Sequence, residues 1–146
     1  MKSRRKGREF ALQLLYANEI CESESIGGLQ LEHTENAIEA ALAAKGSSLQ
    51  YGRNLVEGIL SNIEEVDFCI NQHLKDWSWD RVALVDKLLL RVGVAELFYH
   101  KDVPVPVIIT EAVQLAKKYS TQDSPLFING VLDAVAKSIS VQSNKE

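Results

Sequence analysis

All three prolines of the chain, Pro104, Pro106 and Pro125, lie between residues 104 and 125. Proline cannot donate a backbone hydrogen bond, and its ring clashes with the preceding turn of a helix. The first 103 residues are therefore free to form long helices. Apolar residues recur along the chain at spacings of three and four, the period of an amphipathic helix. The run over 103–109 has the composition of a strand, but the sequence offers no partner strand. The pattern predicts an all-α fold.

The spacing of the apolar residues predicts about seven helices. Residues 8–21 are apolar on most sides, which is typical of a central, buried helix. Residues 22–34 are rich in serine, glycine and glutamate and are predicted to form a loop. Gly130 is interpreted as a place of close helix approach. The other helices are expected over 35–45, from Ser47 to about Ile63, around Ile70, from Ser78 or Asp80 to about Tyr99, over 107–119, and from Ser124 to about Ile139.

Length and composition predict one globular domain over 1–146, with a flexible tail at 140–146. The chain has 146 residues, of which 46% are apolar and 25% charged. Its longest uncharged apolar run is far shorter than the roughly 20 residues that span a bilayer, so no membrane association is expected. No signal peptide is recognisable at the start, and two cysteines make no disulfide framework. The expected location is the cytoplasm.

The net charge of −4 conceals an uneven distribution of charges. Residues 1–8 hold five cations and no acid, which leaves 11 cations against 20 acids, or −9, in the rest of the chain. A basic N-terminal arm of this density can neutralise phosphates and release their counterions. The competing interpretation is a disordered, solubilising tail. Because the arm runs directly into the helix predicted at 8–21, Arg8 would be held by structure, which favours nucleic acid.

Two aromatic residues, Tyr119 and Phe127, lie in an otherwise polar stretch. Aromatic side chains that stack on exposed bases contribute roughly 1–3 kcal/mol per base and favour single strands. Core packing is the competing interpretation, slightly favoured for Phe127 by its helical surroundings.

The sequence contains no recognisable catalytic constellation. Cys69 and His73 are four residues apart on a predicted helix, but two further metal ligands at suitable spacing are missing. No nucleophile accompanies a base and an orienting group, and no glycine-rich phosphate loop follows a strand. We expect no enzymatic activity, no metal and no cofactor.

Five segments of the chain, in a fixed order, carry a family resemblance. They are Arg8-Glu9-x-Ala11-Leu12-Gln13-x-Leu15-Tyr16, Asp86-Lys87-Leu88-Leu89-Leu90-Arg91 with Glu96-Leu97, Val105-Pro106, Glu111-Ala112-Val113-x-Leu115-Ala116-Lys117-x-Tyr119, and Asp123-Ser124-x-x-Phe127-Ile128-Asn129-Gly130-Val131-Leu132-Asp133. Together they resemble the bacterial transcription antitermination factor NusB family. The resemblance extends from about residue 4 to 137 and is weak only across 22–50.

This resemblance implies a fold of two packed three-helix bundles plus an extra helix, and a role without enzymatic activity. NusB-like proteins pair with NusE, which is ribosomal protein S10. The pair binds the boxA element of nascent ribosomal RNA transcripts and helps to assemble an antitermination complex on RNA polymerase. The implied partners are therefore a single-stranded RNA, NusE and the polymerase complex.

The resemblance also implies which residues bind. Many relatives carry a cation just before the phenylalanine, whereas Pro125 and Leu126 supply none here, which weakens the case for a phosphate contact at that point. The implied RNA-binding residues are Lys2, Arg4, Arg5, Lys6, Arg8, Tyr119, Asp123 and Phe127. The implied partner-binding residues are Tyr16, Asp80 and Asp86, whose acids suit a basic ribosomal protein.

Two other functions stay open at this stage. One is a stand-alone NusB-like RNA-binding module, related to those of RNA cytosine methyltransferases, that acts with a separate catalytic subunit. The other is a helix-turn-helix DNA-binding protein, although no cation-rich recognition helix follows a short glycine turn. The sequence leaves the oligomeric state undecided, since a chain that exposes a partner surface can form a homo-oligomer when alone.

Overall fold

The computed structural model of the protein describes residues 2–23, 28–75 and 77–144, and the side-chain environments of 4–20, 35–75 and 77–140. The described residues form seven α-helices and no strand, which confirms the predicted all-α class. None of these helices is long and apolar enough to cross a membrane. The helices are α1 (Lys2–Ser23), α2 (Gly28–Leu42), α3 (Gly46–Ser61), α4 (Ile63–Asn71), α5 (Leu84–Tyr99), α6 (Val105–Tyr119) and α7 (Ser124–Asn144), with a 3-10 turn at Trp79–Arg81 before α5.

The chain divides into two compact units, Met1–Gly58 and Ile59–Glu146. The first unit contains α1, α2 and most of α3, and the second contains α4 to α7. Three helices are thus followed by four, which agrees with the helix count of two three-helix bundles and an extra helix. A single domain over 1–146 stays a prediction.

Helix α5 is the central helix of the second unit. It packs against α4, α6 and α7, and nearly all of its residues from Leu88 to Leu97 are buried. Enclosure of this kind is expected of a helix that is apolar on all sides. The sequence prediction assigned such a central position to residues 8–21 and was wrong in part, because Tyr16 and Ile20 of α1 are exposed.

Three predicted irregular segments are helical where the structure describes them. The basic segment is not a separate arm, since α1 begins at Lys2 and the cations occupy its first turns. The loop predicted over 22–34 is wrong at 22–23 and 28–34, which belong to α1 and α2, while 24–27 lie outside the described residues. The tail predicted at 140–146 continues α7 to Asn144, and 145–146 lie outside the described residues. Arginine, lysine and glutamine favour helices, so polarity alone did not identify loops.

Two glycines allow α1 and α3 to approach each other closely. A Cβ atom on Gly7 would lie 2.6 Å from the carbonyl oxygen of Ser48, and one on Gly52 would lie 2.6 Å from the carbonyl oxygen of Gly7. Gly7 is therefore a packing residue of the first unit. The close approach predicted at Gly130 is wrong, because a Cβ atom there would meet nothing within 4 Å.

We expect Gly7→Ala to lower the free energy of unfolding by about 1–3 kcal/mol, because the added methyl group meets backbone that cannot move aside cheaply. Gly130→Ala is the matched control. It adds the same group in open space within a helix and is expected to raise the free energy by about 0.5–1 kcal/mol. Urea unfolding followed by circular dichroism measures both. Equal stability of the two variants would contradict the close packing of α1 on α3.

Candidate nucleic-acid and partner interfaces

The cations at the start of α1 point in two directions. Arg5 and Lys6 are exposed, whereas Arg4 is half-buried and Arg8 is only 1% exposed. Residues four apart lie on the same side of a helix, so Arg4 and Arg8 share the side that packs inward. We call the exposed pair, Arg5 and Lys6, the cation face. The side chain of Lys2, the first residue of α1, lies outside the described residues.

Tyr51 of α3 is the inward neighbour of the other two arginines. The Cζ atom of Arg4 lies 5.4 Å from the centre of the Tyr51 ring, and that of Arg8 lies 5.8 Å away. A guanidinium group over an aromatic ring is attracted by the negative charge of the ring face. In the first unit, Arg8 thus serves as a packing residue that secures α1 on α3. Its guanidinium group is too enclosed to meet a phosphate in this structure.

Tyr16 lies farther along the exposed side of α1. It is 44% exposed, and it stands eleven residues after Arg5, about three helical turns. A tyrosine offers a rigid apolar ring with a polar end, which is typical of residues that anchor protein interfaces. The structure therefore places Tyr16 where a partner protein can reach it.

The α6–α7 turn is anchored by the carboxylate of Asp86, at the start of α5. Ser120 Oγ donates to Asp86 Oδ1 at 2.7 Å, and Ser124 Oγ donates to Asp86 Oδ2 at 2.9 Å. Thr121 Oγ1 lies 2.9 Å from Ser124 Oγ and donates to it, because the Ser124 proton is already used. Ser124 is the first residue of α7, where the sequence predicted this helix to begin, and it faces this cluster. Asp86 is 7% exposed, so both of its oxygens act within the second unit.

A groove of about 430 Å³ lies beside this turn, and we call it the aromatic groove. Its lining includes Trp77, Arg81, Asp86, Asp123, Leu126 and Phe127. The rings of Trp77 and Phe127 are 5.6 Å apart at their centres and inclined by 58°. Trp77 is 55% exposed and belongs to the lining of the groove. The groove thus presents an aromatic surface to solvent.

The segment that carries Trp77 is held by its neighbour Trp79. Lys87 Nζ lies 5.0 Å and Arg91 Cζ 5.5 Å from the Trp79 ring centre. Arg91 also forms a bidentate ion pair with Asp67 of α4, with distances of 2.8 and 2.9 Å. Since planar two-bond pairs fix orientation, this network gives Trp79 and the 3-10 turn that it begins a defined position.

The structure separates the predicted RNA-binding aromatics. Phe127 lines the aromatic groove, whereas Tyr119 is half-buried, is absent from that lining and has Lys118 Nζ 5.2 Å from its ring centre. Sequence reasoning missed Trp77. A tryptophan among polar residues, at 75–80, was the available signal.

Two of the predicted acids face solvent. Asp80 lies in the 3-10 turn at Trp79–Arg81 and is exposed, and Asp123 is exposed at the edge of the aromatic groove. Asp86, the third acid, faces inward. Of the three predicted partner-binding residues, Tyr16 and Asp80 are therefore accessible to direct contact.

Cys69 and His73 do not point to a metal. His73 Nδ1 donates to the carbonyl oxygen of Cys69 at 2.8 Å, which occupies one of its two ring nitrogens. Burial raises the pKa of the Cys69 thiol, so it stays protonated and is a poor ligand and nucleophile at neutral pH. Within the described part of the chain, no three histidine, cysteine, aspartate or glutamate residues come together as a metal site.

The all-helical scaffold, the cation face and the aromatic groove are features of a helical nucleic-acid-binding protein. The model of the NusB family matches residues 5–137, nearly the whole chain. The chain belongs to the NusB family.

Individual relatives agree with this assignment. The chain is 44% identical over 144 residues to the transcription antitermination protein NusB of Geotalea daltonii, covering 95% of this chain and 97% of the relative. It is 39% identical over 136 residues to the protein of the same name from Myxococcus xanthus, covering 93% and 96%. These names describe a part in transcription antitermination and no chemical reaction.

Solved structures share the fold. T. maritima NusB superposes with a TM-score of 0.79 at 33% identity, covering 92% of this chain and 90% of that one. The crystal structure of the antitermination factors NusB and NusE in complex with dsRNA contains a chain with a TM-score of 0.77 at 29% identity, covering 94% and 98%.

Proposed function

We propose that the protein is an RNA-binding transcription antitermination factor that pairs with NusE, ribosomal protein S10. The pair binds the boxA element of nascent ribosomal RNA transcripts in a complex on RNA polymerase. The chain acts by binding, without catalysis, and it acts in the bacterial cytoplasm, where transcripts are made. The observation that carries the proposal is the likeness over most of the chain to a protein crystallised with NusE and RNA.

The cation face supports RNA binding. Arg5 and Lys6 are exposed on the first turns of a helix, where they can meet successive phosphates. Lysine and arginine that neutralise phosphates release counterions, which makes binding depend on salt. Lys2 joins them by its position in the sequence, and Arg4 and Arg8 support the face from beneath through Tyr51.

The aromatic groove supports a preference for unpaired bases. The related crystal structure contains double-stranded RNA. Bases inside a duplex are stacked on each other, so only an unpaired base can enter the groove and stack on a side chain. Phe127 and Asp123 line this groove. Tyr119 precedes Asp123 by four residues in the sequence.

Partner binding is tested on the two accessible residues of the proposed NusE surface. We expect Tyr16→Ala and Asp80→Lys each to weaken NusE binding by about tenfold, since a lost aromatic anchor costs at least 1–2 kcal/mol and a reversed charge repels a basic partner. Isothermal titration of NusE into each variant measures this.

Matched controls come from α4. Phe68→Ala removes an aromatic ring that is 66% exposed, and Glu64→Lys reverses an exposed acid, neither in the proposed surface. Unchanged NusE binding in Tyr16→Ala and Asp80→Lys, or equal losses in the α4 variants, would remove these residues from the partner surface.

A further inference from the structure

A second groove adjoins the aromatic groove and has a different chemical character. It has a volume of about 640 Å³ and is lined in part by Thr110, Lys117, Gln122, Leu126 and Asn129, and we call it the lysine groove. The two grooves share Thr121 and Leu126. Both volumes fall within the roughly 300–1,000 Å³ of ordinary ligand sites. A single ligand that extends across Thr121 and Leu126 can therefore occupy both grooves.

The charges of the two grooves decide which part of a nucleotide each one accepts. Two carboxylates, Asp86 and Asp123, line the aromatic groove beside a single cation, Arg81. The lysine groove contains Lys117 and, among the described residues that line it, no acid. A phosphate is repelled by the carboxylates and attracted by the lysine. An uncharged aromatic base suits the groove that Trp77 and Phe127 line.

Lys117 is available for such a contact. It is exposed at the end of α6, and it has no ion-pair partner among the residues that the structure describes. Its neighbour Lys118 is engaged with the Tyr119 ring at 5.2 Å. Among the described cations of α6, Lys117 is therefore the one that lines a groove. The acid Asp123 lines the other groove, the aromatic groove.

Leu126 forms a shared wall of the two grooves. It is 81% exposed, more than any other large apolar side chain among the residues that the structure describes. Apolar side chains of this kind separate neighbouring bases in nucleic-acid complexes by inserting between them. The position of Leu126 fits a strand that bends over it, with one nucleotide on each side.

We propose that a single-stranded RNA crosses Leu126, with one base stacked on Trp77 in the aromatic groove and the adjoining phosphate bound by Lys117 in the lysine groove. This inference rests on the proposed RNA-binding function and adds two binding residues and a path for the strand. It assigns the phosphate contact of this region to Lys117, on α6.

The first experiment observes Trp77 directly. The chain has two tryptophans, so Trp79→Phe leaves Trp77 as its only one, while phenylalanine keeps an aromatic ring between Lys87 and Arg91. A boxA-type single-stranded RNA is titrated into this variant with NusE present, against a NusE–RNA blank. We expect the Trp77 emission to be quenched, with the same midpoint as binding measured by anisotropy of a labelled RNA. Binding without quenching would overturn the proposal.

The second experiment separates stacking from phosphate binding by salt dependence. Trp77→Ala is expected to weaken RNA binding by about tenfold to hundredfold with an unchanged slope of log K against log salt, since stacking involves no charge. Lys117→Gln is expected to make that slope less steep by about 0.7, the value for one lost phosphate contact on a single strand. The matched controls, Phe68→Ala and Lys101→Gln, remove exposed side chains of the same kinds outside both grooves and should leave binding unchanged.

The outcomes distinguish this inference from the proposed function. Wild-type RNA affinity and slope in both groove variants would overturn the path over Leu126 and leave the RNA-binding function standing. Absence of RNA binding by the wild-type chain with NusE would overturn both. Weaker NusE binding but unchanged RNA binding in Trp77→Ala would show that a protein side chain occupies the aromatic groove, which also overturns the proposal. If circular dichroism shows that Trp77→Ala is unfolded, the Trp79→Phe titration decides.

Discussion

Replacing Arg5 and Lys6 together by glutamate is expected to lower the affinity for a boxA-type RNA by about hundredfold and to flatten its salt dependence. Two lost phosphate contacts correspond to a slope of log K against log salt that is less steep by about 1.4 on a single strand. Both residues are exposed on α1, so the substitutions leave the packing of the helix intact. Arg8 is left unchanged, because a glutamate at that buried position would disturb the fold and confuse the result.

A control with the same change in net charge gives this experiment its specificity. Lys101 and Lys137 are exposed lysines that belong neither to the cation face nor to the lining of either groove described above, and replacing both by glutamate changes the net charge equally. We expect this variant to bind RNA nearly as the wild type does, since neither lysine belongs to a proposed RNA contact. Equal losses in the two double variants would mean that RNA responds only to the total charge of the chain.

Removing the carboxylate of Asp86 is expected to lower the free energy of unfolding by about 2–4 kcal/mol. Asp86→Ala leaves the hydroxyl groups of Ser120 and Ser124 without their acceptor in a largely buried place, and each hydrogen bond to a charged group contributes about 1.5–3 kcal/mol. Urea unfolding followed by circular dichroism measures the loss. Asp80→Ala is the control, and a change at that exposed site should stay within about 0.5 kcal/mol.

The same variant decides how Asp86 contributes to NusE binding. The resemblance implies a partner contact, whereas in the structure both carboxylate oxygens accept hydrogen bonds from Ser120 and Ser124. We propose that Asp86 acts as a positioning residue that holds the α6–α7 turn. A double-mutant cycle with Ser124→Ala should then show a coupling energy of at least about 0.5 kcal/mol. Undiminished stability of Asp86→Ala together with lost NusE binding would instead make Asp86 a direct contact.

The helical class of this chain was predictable from its sequence because most of the chain has the spacing of apolar residues that is typical of helices. Proline is absent before residue 104, and apolar residues recur at helical spacing. The ends of helices were less predictable. Serine, glycine and glutamate over 22–34 suggested a loop, yet α2 begins at Gly28, since polar residues with adequate helical propensity extend a helix that is packed on one side.

The site was harder to predict, because its residues are brought together from distant positions. Asp86 accepts hydrogen bonds from Ser120 and Ser124, which follow it by 34 and 38 residues. A local sequence pattern does not predict such a contact. Arg8 shows a different limit. It was counted with the other cations as a phosphate ligand, although its place four residues after Arg4 and before Leu12 put it on the apolar side of α1. The helical spacing therefore predicts that Arg8 is buried, whereas the density of charge alone does not.

RNA binding by the wild-type chain, measured with and without NusE across a salt series, tests the central claim most directly. We predict that the chain with NusE binds a boxA-type single strand, that log K falls linearly as log salt rises, and that duplex DNA of equal length competes poorly. Absence of binding in the presence of NusE, affinity that does not respond to salt, or displacement of the RNA by duplex DNA at equal concentration would contradict it.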